Sequence, residues 1–375
     1  MLERIFHPGR IGALVLPNRI VRSATYEGLA DPEGRVGERY ADFMGRLSSG
    51  GMGLIVTGHL FVRREGRASV GQGGIHDDLA IPGLRSAVRR VHDEGTRIVA
   101  QLSHGGGQAG RGETGNPGTV APSAVTDPAY DRVPAELSVE GIRGIVGAFA
   151  AAAARAKEAG FDGVQIHAAH GFLLSQFLSP HRNVRRDAYG GSLAGRARIV
   201  LEVCEAVRKA AGPAFPVLVK LNGGDLVDGG LETTDARTVA ARLAAAGIDA
   251  IEVSGGLPSS KEPSTTRKGI STVGEEGYFL PFAKAVKTDA RVPVISVGGF
   301  RSPEFINRVL RSGAADFVSM SRPFLREPGL VSRWSRGDLR RAACISCNLC
   351  LRARRSEEGV HCVAGRNAGG AATPP

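Results

Sequence analysis

The chain has 375 residues, 42% of them hydrophobic, and its 48 Lys and Arg against 37 Asp and Glu give a net charge of +11. That size allows a substantial core, as one large α/β barrel with a tail or as two ordinary domains. The charge is spread along the chain with only a mild cluster over 336–355, and no basic run is interleaved with aromatics, so nucleic-acid binding is not expected. The opening Met1-Leu-Glu-Arg-Ile-Phe-His-Pro8 has no apolar leader stretch, and no apolar run reaches the length of a membrane span. Five Cys, four of them crowded near the C-terminus, do not form a secreted disulfide framework, so a reducing cytoplasm is expected.

A stretch over 6–19 alternates apolar and polar residues around Gly12 and reads as a hairpin closing the floor of whatever follows. Short β-branched runs then recur at 20–25, 53–58, 97–103, 163–167, 216–221, 249–254, 292–297 and 315–320. Most are continuously apolar, as strands covered on both faces are. Amphipathic helical segments separate them at 40–49, 82–94, 139–159, 193–211, 234–246, 279–287 and 303–311, and Gly95, Gly160, Gly247 and Gly313 stop several of these. Strands alternating with helices in this way predict a (β/α)8 TIM barrel, with a doubly wound open sheet as runner-up. The expected organisation is a barrel over 1–340 and a short Cys-rich C-terminal extension over 341–375, whose last residues, 368–375, read as disordered. Loops at 105–137 and 255–278 are long enough to be lids or binding loops.

In such a barrel chemistry sits where strands meet the loops that follow them. The fourth run ends in Gly-Val-Gln-Ile-His-Ala-Ala-His-Gly-Phe, residues 163–172. His167 and His170 there can donate two hydrogen bonds to one substrate oxygen, as polarising a carbonyl or nitro group requires. The competing readings are turn capping and metal binding, but no third ligand follows at a useful spacing. Gly298 and Gly299 after the seventh run, with Ser321 and Arg322 after the eighth, mark a phosphate pocket. Lys220 ends the fifth run; it could form a Schiff base as in a lyase, hold a phosphate, or neutralise an anion on a bound aromatic ring. Gln101 offers an amide to the edge of a planar heterocycle. The G-x-G-x-x-G match over 105–110 is discounted, because the residues after it cannot start a helix.

These residues resemble the Old Yellow Enzyme family of FMN-dependent oxidoreductases. The matching segments are Pro-Asn-Arg-Ile-Val at 17–21, Gln-Leu-Ser-His at 101–104, Ala-Pro-Ser at 121–123, His-Ala-Ala-His-Gly at 167–171, Phe-Leu-Ser-Pro-His-Arg-Asn at 177–183, Asp-Ala-Tyr-Gly-Gly-Ser at 187–192 and Ser-Arg-Pro-Phe at 321–324. The resemblance implies an FMN barrel in which Ala24, Thr25, Gly58 and Gln101 line the flavin ring. Lys220 would stand near its N1, and Gly298, Gly299 and Arg322 would take the phosphate. His167 and His170 would hold the activating oxygen of a small-molecule substrate, and hydride would pass from NAD(P)H through flavin N5 to an activated alkene or a related carbonyl or nitro acceptor. Where many ene-reductases carry a Tyr two residues after the second His, this chain has Phe172. Either water or Tyr26 supplies the proton, or the reaction needs none; Tyr26 stands where relatives have a small or polar flavin-tuning residue.

Cys344, Cys347, Cys350 and Cys362 follow the spacing C-x2-C-x2-C-x11-C. That arrangement suits a [4Fe-4S] cluster, with zinc or unmetallated thiols as alternatives. It resembles the iron–sulfur motif of trimethylamine dehydrogenase and 2,4-dienoyl-CoA reductase. A second functional reading is therefore an amine dehydrogenase or enoyl-thioester reductase that couples FMN to the cluster and draws on a separate electron-transfer protein. A homo-oligomer is left open. Cys204, mid-helix among apolar residues, reads as core.

Overall fold

The computed structural model describes residues 2–110, 118–130, 132–260, 264–353, 356 and 358–367. Eight parallel strands close into a barrel in chain order: β1 (Ile20–Arg22), β2 (Leu54–Phe61), β3 (Arg97–Ser103), β4 (Gly163–Ala168), β5 (Val217–Asn222), β6 (Ala250–Ser254), β7 (Val294–Val297) and β8 (Phe317–Met320). Helices α1 (Glu38–Ser48), α2 (Ile81–Asp93), α3 (Val139–Glu158), α4 (Leu193–Ala211), α5 (Thr233–Ala245), α6 (Leu280–Asp289) and α7 (Pro303–Arg311) follow the first seven strands in turn. The TIM barrel expected from the sequence is the observed architecture. Ser138 and Ser192 cap α3 and α4, accepting from Gly141 N at 3.0 Å and Gly195 N at 3.2 Å.

The N-terminal hairpin pairs Gly9–Ile11 with Leu14–Leu16 and turns at Gly12, φ +55°. Its Ile11, Leu14 and Leu16 pack under Val21, Leu54, Val56, Val99, Leu218, Ala250, Ile295 and Phe317, an apolar plug in the barrel floor. Strand side chains alternate with period two, so the inward residues one layer higher are Ser23, Gln101, Lys220, Glu252 and Ser319. The barrel interior therefore changes from apolar to polar along its axis, and the polar layer lies at the carboxyl ends of the strands.

Two strands depart most from the expected bounds, both at their carboxyl ends. β1 ends at Arg22, which frees Ser23 and Thr25 for the rim; Thr25 Oγ1 lies 2.6 Å from Ser321 Oγ. β2 continues to Phe61 because its register against β3 shifts between Val56 and His59. That bulge carries Thr57 and Gly58 and re-aims His59. Short helices unseen in the sequence follow β4 (Leu173–Leu178) and β8 (Arg322–Arg326). The end of the chain folds back on the barrel: Ala342 N donates to Arg301 O, Gly269 N to Ser346 O, and Val360 N to Glu27 O. The expected disorder of 368–375 and part of the 105–137 and 255–278 loops lie outside the described residues. No helix among the described residues is long and apolar enough to cross a membrane.

Candidate active site

A cleft with about 830 Å³ of empty space opens at the carboxyl ends of the strands. Ala24, Thr25, Tyr26, His170, Lys220, Gly299, Ser321 and Arg322 all line it. His167 adjoins it, its ring centroid 5.3 Å from that of His170. Gly298 is the neighbour of Gly299 in the turn after β7. Gly58 and Gln101 lie deeper: Gly58 N donates to Glu27 Oε1 at 2.8 Å, and Gln101 Nε2 donates to Gln165 Oε1 at 2.7 Å.

The turn after β7 has room for backbone only. Gly298 and Gly299 have φ +137° and +73°, where side chains are strained. A Cβ on Gly299 would stand 2.3 Å from Ile270 Cδ1, and one on Gly298 2.9 Å from Phe279 N. This bare cradle beside Arg322 suits a phosphate approaching the backbone. The Arg322 guanidinium also donates to Arg267 O and to Asn348 Oδ1.

At the other end, both imidazoles are shifted below their ordinary range. Burial, with Lys220 nearby, pushes His170 down to about 3. Burial, then His170 beside it, holds His167 well below the ordinary imidazole range. His170 sits at φ +60°, its backbone N donating to Asn222 Oδ1 at 3.2 Å and its Nε2 2.7 Å from Ser254 Oγ. Asn222 is held in turn by the buried Asp225 at 2.9 Å. His167 Nδ1 is buried without a hydrogen-bond partner among the described residues, which suits a group kept for a ligand.

Phe172 is 9% exposed, its ring 4.5 Å from His167 and 5.0 Å from His59. The Tyr26 ring stacks on His59 at 5.8 Å, and its hydroxyl donates to Val70 O. Using Tyr26 as an acid would require breaking that bond. His59 was not singled out in the sequence. Gln72 Oε1 accepts from Ala68 N, which turns the Gln72 amide N–H toward His59 Nδ1 at 2.8 Å. His59 therefore carries its proton on Nε2.

Sequence reasoning also missed the partners of Lys220. Glu252, fully buried, lies 3.1 Å from Lys220 Nζ and accepts from Ser23, Ser319 and Gln165. Burial alone would raise its carboxyl; Lys220 and the three donors outweigh that and hold it low. The available signal was a lone acid inside the Ala-Ile-Glu-Val-Ser run of a strand that must be covered on both faces. A second buried pair, Arg22 and Glu27 at 3.2 Å, braces β1 against Gly58.

All four motif cysteines, Cys344, Cys347, Cys350 and Cys362, line one pocket. Arg322, Leu325 and Cys350 belong to its wall and to the wall of the main cleft. Among the described residues no three His, Cys, Asp or Glu side chains are gathered closely enough to hold a metal ion. Cys204 is buried in α4 and its thiol is pushed up to about 12, as a core position would have it.

Residues 4–339 match the model of the NADH:flavin oxidoreductase / NADH oxidase family. The chain belongs to that family. The resemblance to Old Yellow Enzyme drawn from the motifs is thereby borne out. The chain is 37% identical over 367 residues to a metal reductase of Desulforamulus reducens, covering 97% of this chain and 54% of that one. It is 35% identical over 375 residues to a 4,4'-dithiodibutanoate disulfide reductase of Rhodococcus erythropolis, covering 92% of each. Among solved structures, a 2-naphthoyl-CoA reductase superposes with a TM-score of 0.88 at 27% identity, over 93% of this chain and 55% of the other. The chain thus spans about half the length of two of these three family relatives.

Proposed function

We propose that the chain is an FMN-dependent oxidoreductase that takes hydride from NAD(P)H and reduces a small planar acceptor, an activated alkene or a related carbonyl or nitro compound. The observation that carries this reading is one cleft with a backbone-only cradle and Arg322 at one end and the His167–His170 pair, rings 5.3 Å apart, at the other. FMN bound there supplies two-electron chemistry between NAD(P)H and the acceptor. Gly298, Gly299, Ser321 and Arg322 would hold its phosphate, and Lys220 would face the pyrimidine side of its ring. His167 and His170 can donate N–H bonds to the acceptor's oxygen as neutral imidazoles, since both are shifted below the ordinary imidazole range. They draw electron density toward that oxygen and fix the acceptor's orientation. The Schiff-base alternative is disfavoured, since Lys220 Nζ is already engaged by Glu252 Oε1 at 3.1 Å and Ser23 Oγ at 2.8 Å and is not free to attack a carbonyl.

The test is FMN uptake by the purified protein, followed by anaerobic half-reactions. Flavin bleaching by NADH or NADPH and reoxidation by 2-cyclohexenone or a nitroarene support the reading. His167→Ala/His170→Ala is expected to weaken binding of a para-substituted phenol a hundredfold or more while FMN uptake stays intact. Absence of FMN uptake refutes the reading.

A second reading has its own observation. The Cys loop holds two non-glycine residues at positive φ, Ser346 at +54° and Asn348 at +62°, and Ser346 N donates to the Cys344 sulfur. Asn tolerates that region, but Ser seldom enters it, and such conformations cluster at functional sites. We propose that Cys344, Cys347, Cys350 and Cys362 bind a [4Fe-4S] cluster, whose thiolates stand farther apart than those around a single zinc. Cys350, in the wall shared with the cleft, would connect it to FMN. Iron, sulfide and zinc analysis decides: a stoichiometric zinc content without sulfide overturns the cluster.

A further inference from the structure

The Lys220–Glu252 pair has a consequence beyond binding. An ammonium has three N–H donors. Lys220 gives one to Ser23 Oγ at 2.8 Å and one to Glu252 Oε1 at 3.1 Å, which leaves one for the cleft it lines. Glu252 does not reach the cleft. Its Oε1 accepts from Ser23 at 2.6 Å and Ser319 at 2.7 Å, and its Oε2 accepts from Gln165 at 2.9 Å. Gln165 is held in turn by Gln101. Both charges are rigid, because the two residues are register partners on neighbouring strands, β5 and β6. Neither can be screened by water, with side-chain exposures of 4% and 0%.

A lone buried ammonium would present a full positive charge to the cleft; this one presents an ion pair whose sum is zero. Taking up a hydride, two electrons and one proton, adds one negative charge to the bound group. The pair stabilises that charge less than an unpaired Lys220 would. We propose, resting on the FMN reading above, that Glu252 acts through Lys220 as a positioning and tuning residue that keeps the flavin's reduction potential low. The protein then holds a stronger reductant than its cationic site alone would give.

The test uses the FMN-loaded protein and compares wild type with Glu252→Gln by dye-equilibrated anaerobic potentiometry. The expected result is a tenfold or larger shift of the equilibrium toward reduced flavin, a rise of 29.6 mV per tenfold for a two-electron couple. Sulfite affinity gives a readout without NAD(P)H or acceptor, because sulfite also adds negative charge to the ring. It should tighten tenfold or more in Glu252→Gln and less in Glu252→Asp, which keeps the charge but draws it back from Lys220. A merely structural role would loosen FMN without moving potential and sulfite affinity together. Should Glu252→Gln not fold, Glu252→Asp alone decides, and sulfite affinity equal to wild type overturns the inference. FMN uptake with an unchanged potential in Glu252→Gln overturns it and leaves the functional reading standing. A wild-type protein that takes up no FMN overturns both.

Discussion

Gly299→Ala tests the phosphate cradle, and its cost can be split into two parts. Gly299 and Gly313 have nearly the same φ, +73° and +70°. An L side chain in that region costs about 1–2 kcal/mol at either position. A Cβ at Gly313 meets nothing within 4 Å, whereas at Gly299 it falls 2.3 Å from Ile270 Cδ1 and 2.8 Å from Tyr278 Cε1. Forcing those neighbours apart adds about 1–3 kcal/mol of overpacking. Gly313→Ala should therefore lose only the backbone cost, and Gly299→Ala about 2–5 kcal/mol in all, by the sum of those two ranges. The assay is urea denaturation of the FMN-free proteins, with FMN and riboflavin titrations alongside. Gly299→Ala should weaken FMN much more than riboflavin, which lacks the phosphate. Equal stability losses in the two variants, with FMN affinity unchanged in Gly299→Ala, would refute both the packing argument and the cradle.

Phe172→Tyr places a hydroxyl beside His167; where proton transfer limits the rate, a general acid is worth about 10²–10⁴. The variant should speed alkene reduction at least tenfold and leave flavin reduction by NAD(P)H unchanged; equal effects on both half-reactions in stopped flow would mean that the ring only packs. Glu27→Ala strands the Arg22 guanidinium, 1% exposed, and is expected to cost about 3–5 kcal/mol in chemical denaturation; a loss below 1 kcal/mol would show that water reaches the pair. For His170 the folded pKa, about 3, lies below the ordinary 6.5, so acid favours the unfolded chain. This group should add no pH dependence to stability above pH 6.5, and stability should fall as pH drops from there toward 3, with the imidazole ¹⁵N shifts of His167 and His170 constant between pH 8 and 5.5. An inflection near 6.5 in those shifts would contradict the neutral pair.

Local pattern sufficed for much of this protein. Continuous apolar runs, helical periodicity and Gly stops are properties of neighbouring residues, so the order of β1 to β8 with the intervening helices was readable, and α4 and α7 fall where the pattern placed them. The motif residues at strand ends were readable for the same reason: the fold class says which end of a strand carries chemistry, and His167, His170, Lys220, Gly299 and Arg322 sit at those ends. Relations between strands were not readable. The β2 bulge that brings His59 against Tyr26 and Phe172 depends on a register shift against β3. The Lys220–Glu252 pair depends on the stagger that makes those two residues partners. The shared wall between the Cys cavity and the cleft depends on the C-terminal segment folding back near Glu27 and Arg301. One-dimensional spacing sets which side chains face inward, because strand geometry is local. Only closure of the barrel decides which of them meet, because register and stagger are fixed by packing between segments far apart in the chain.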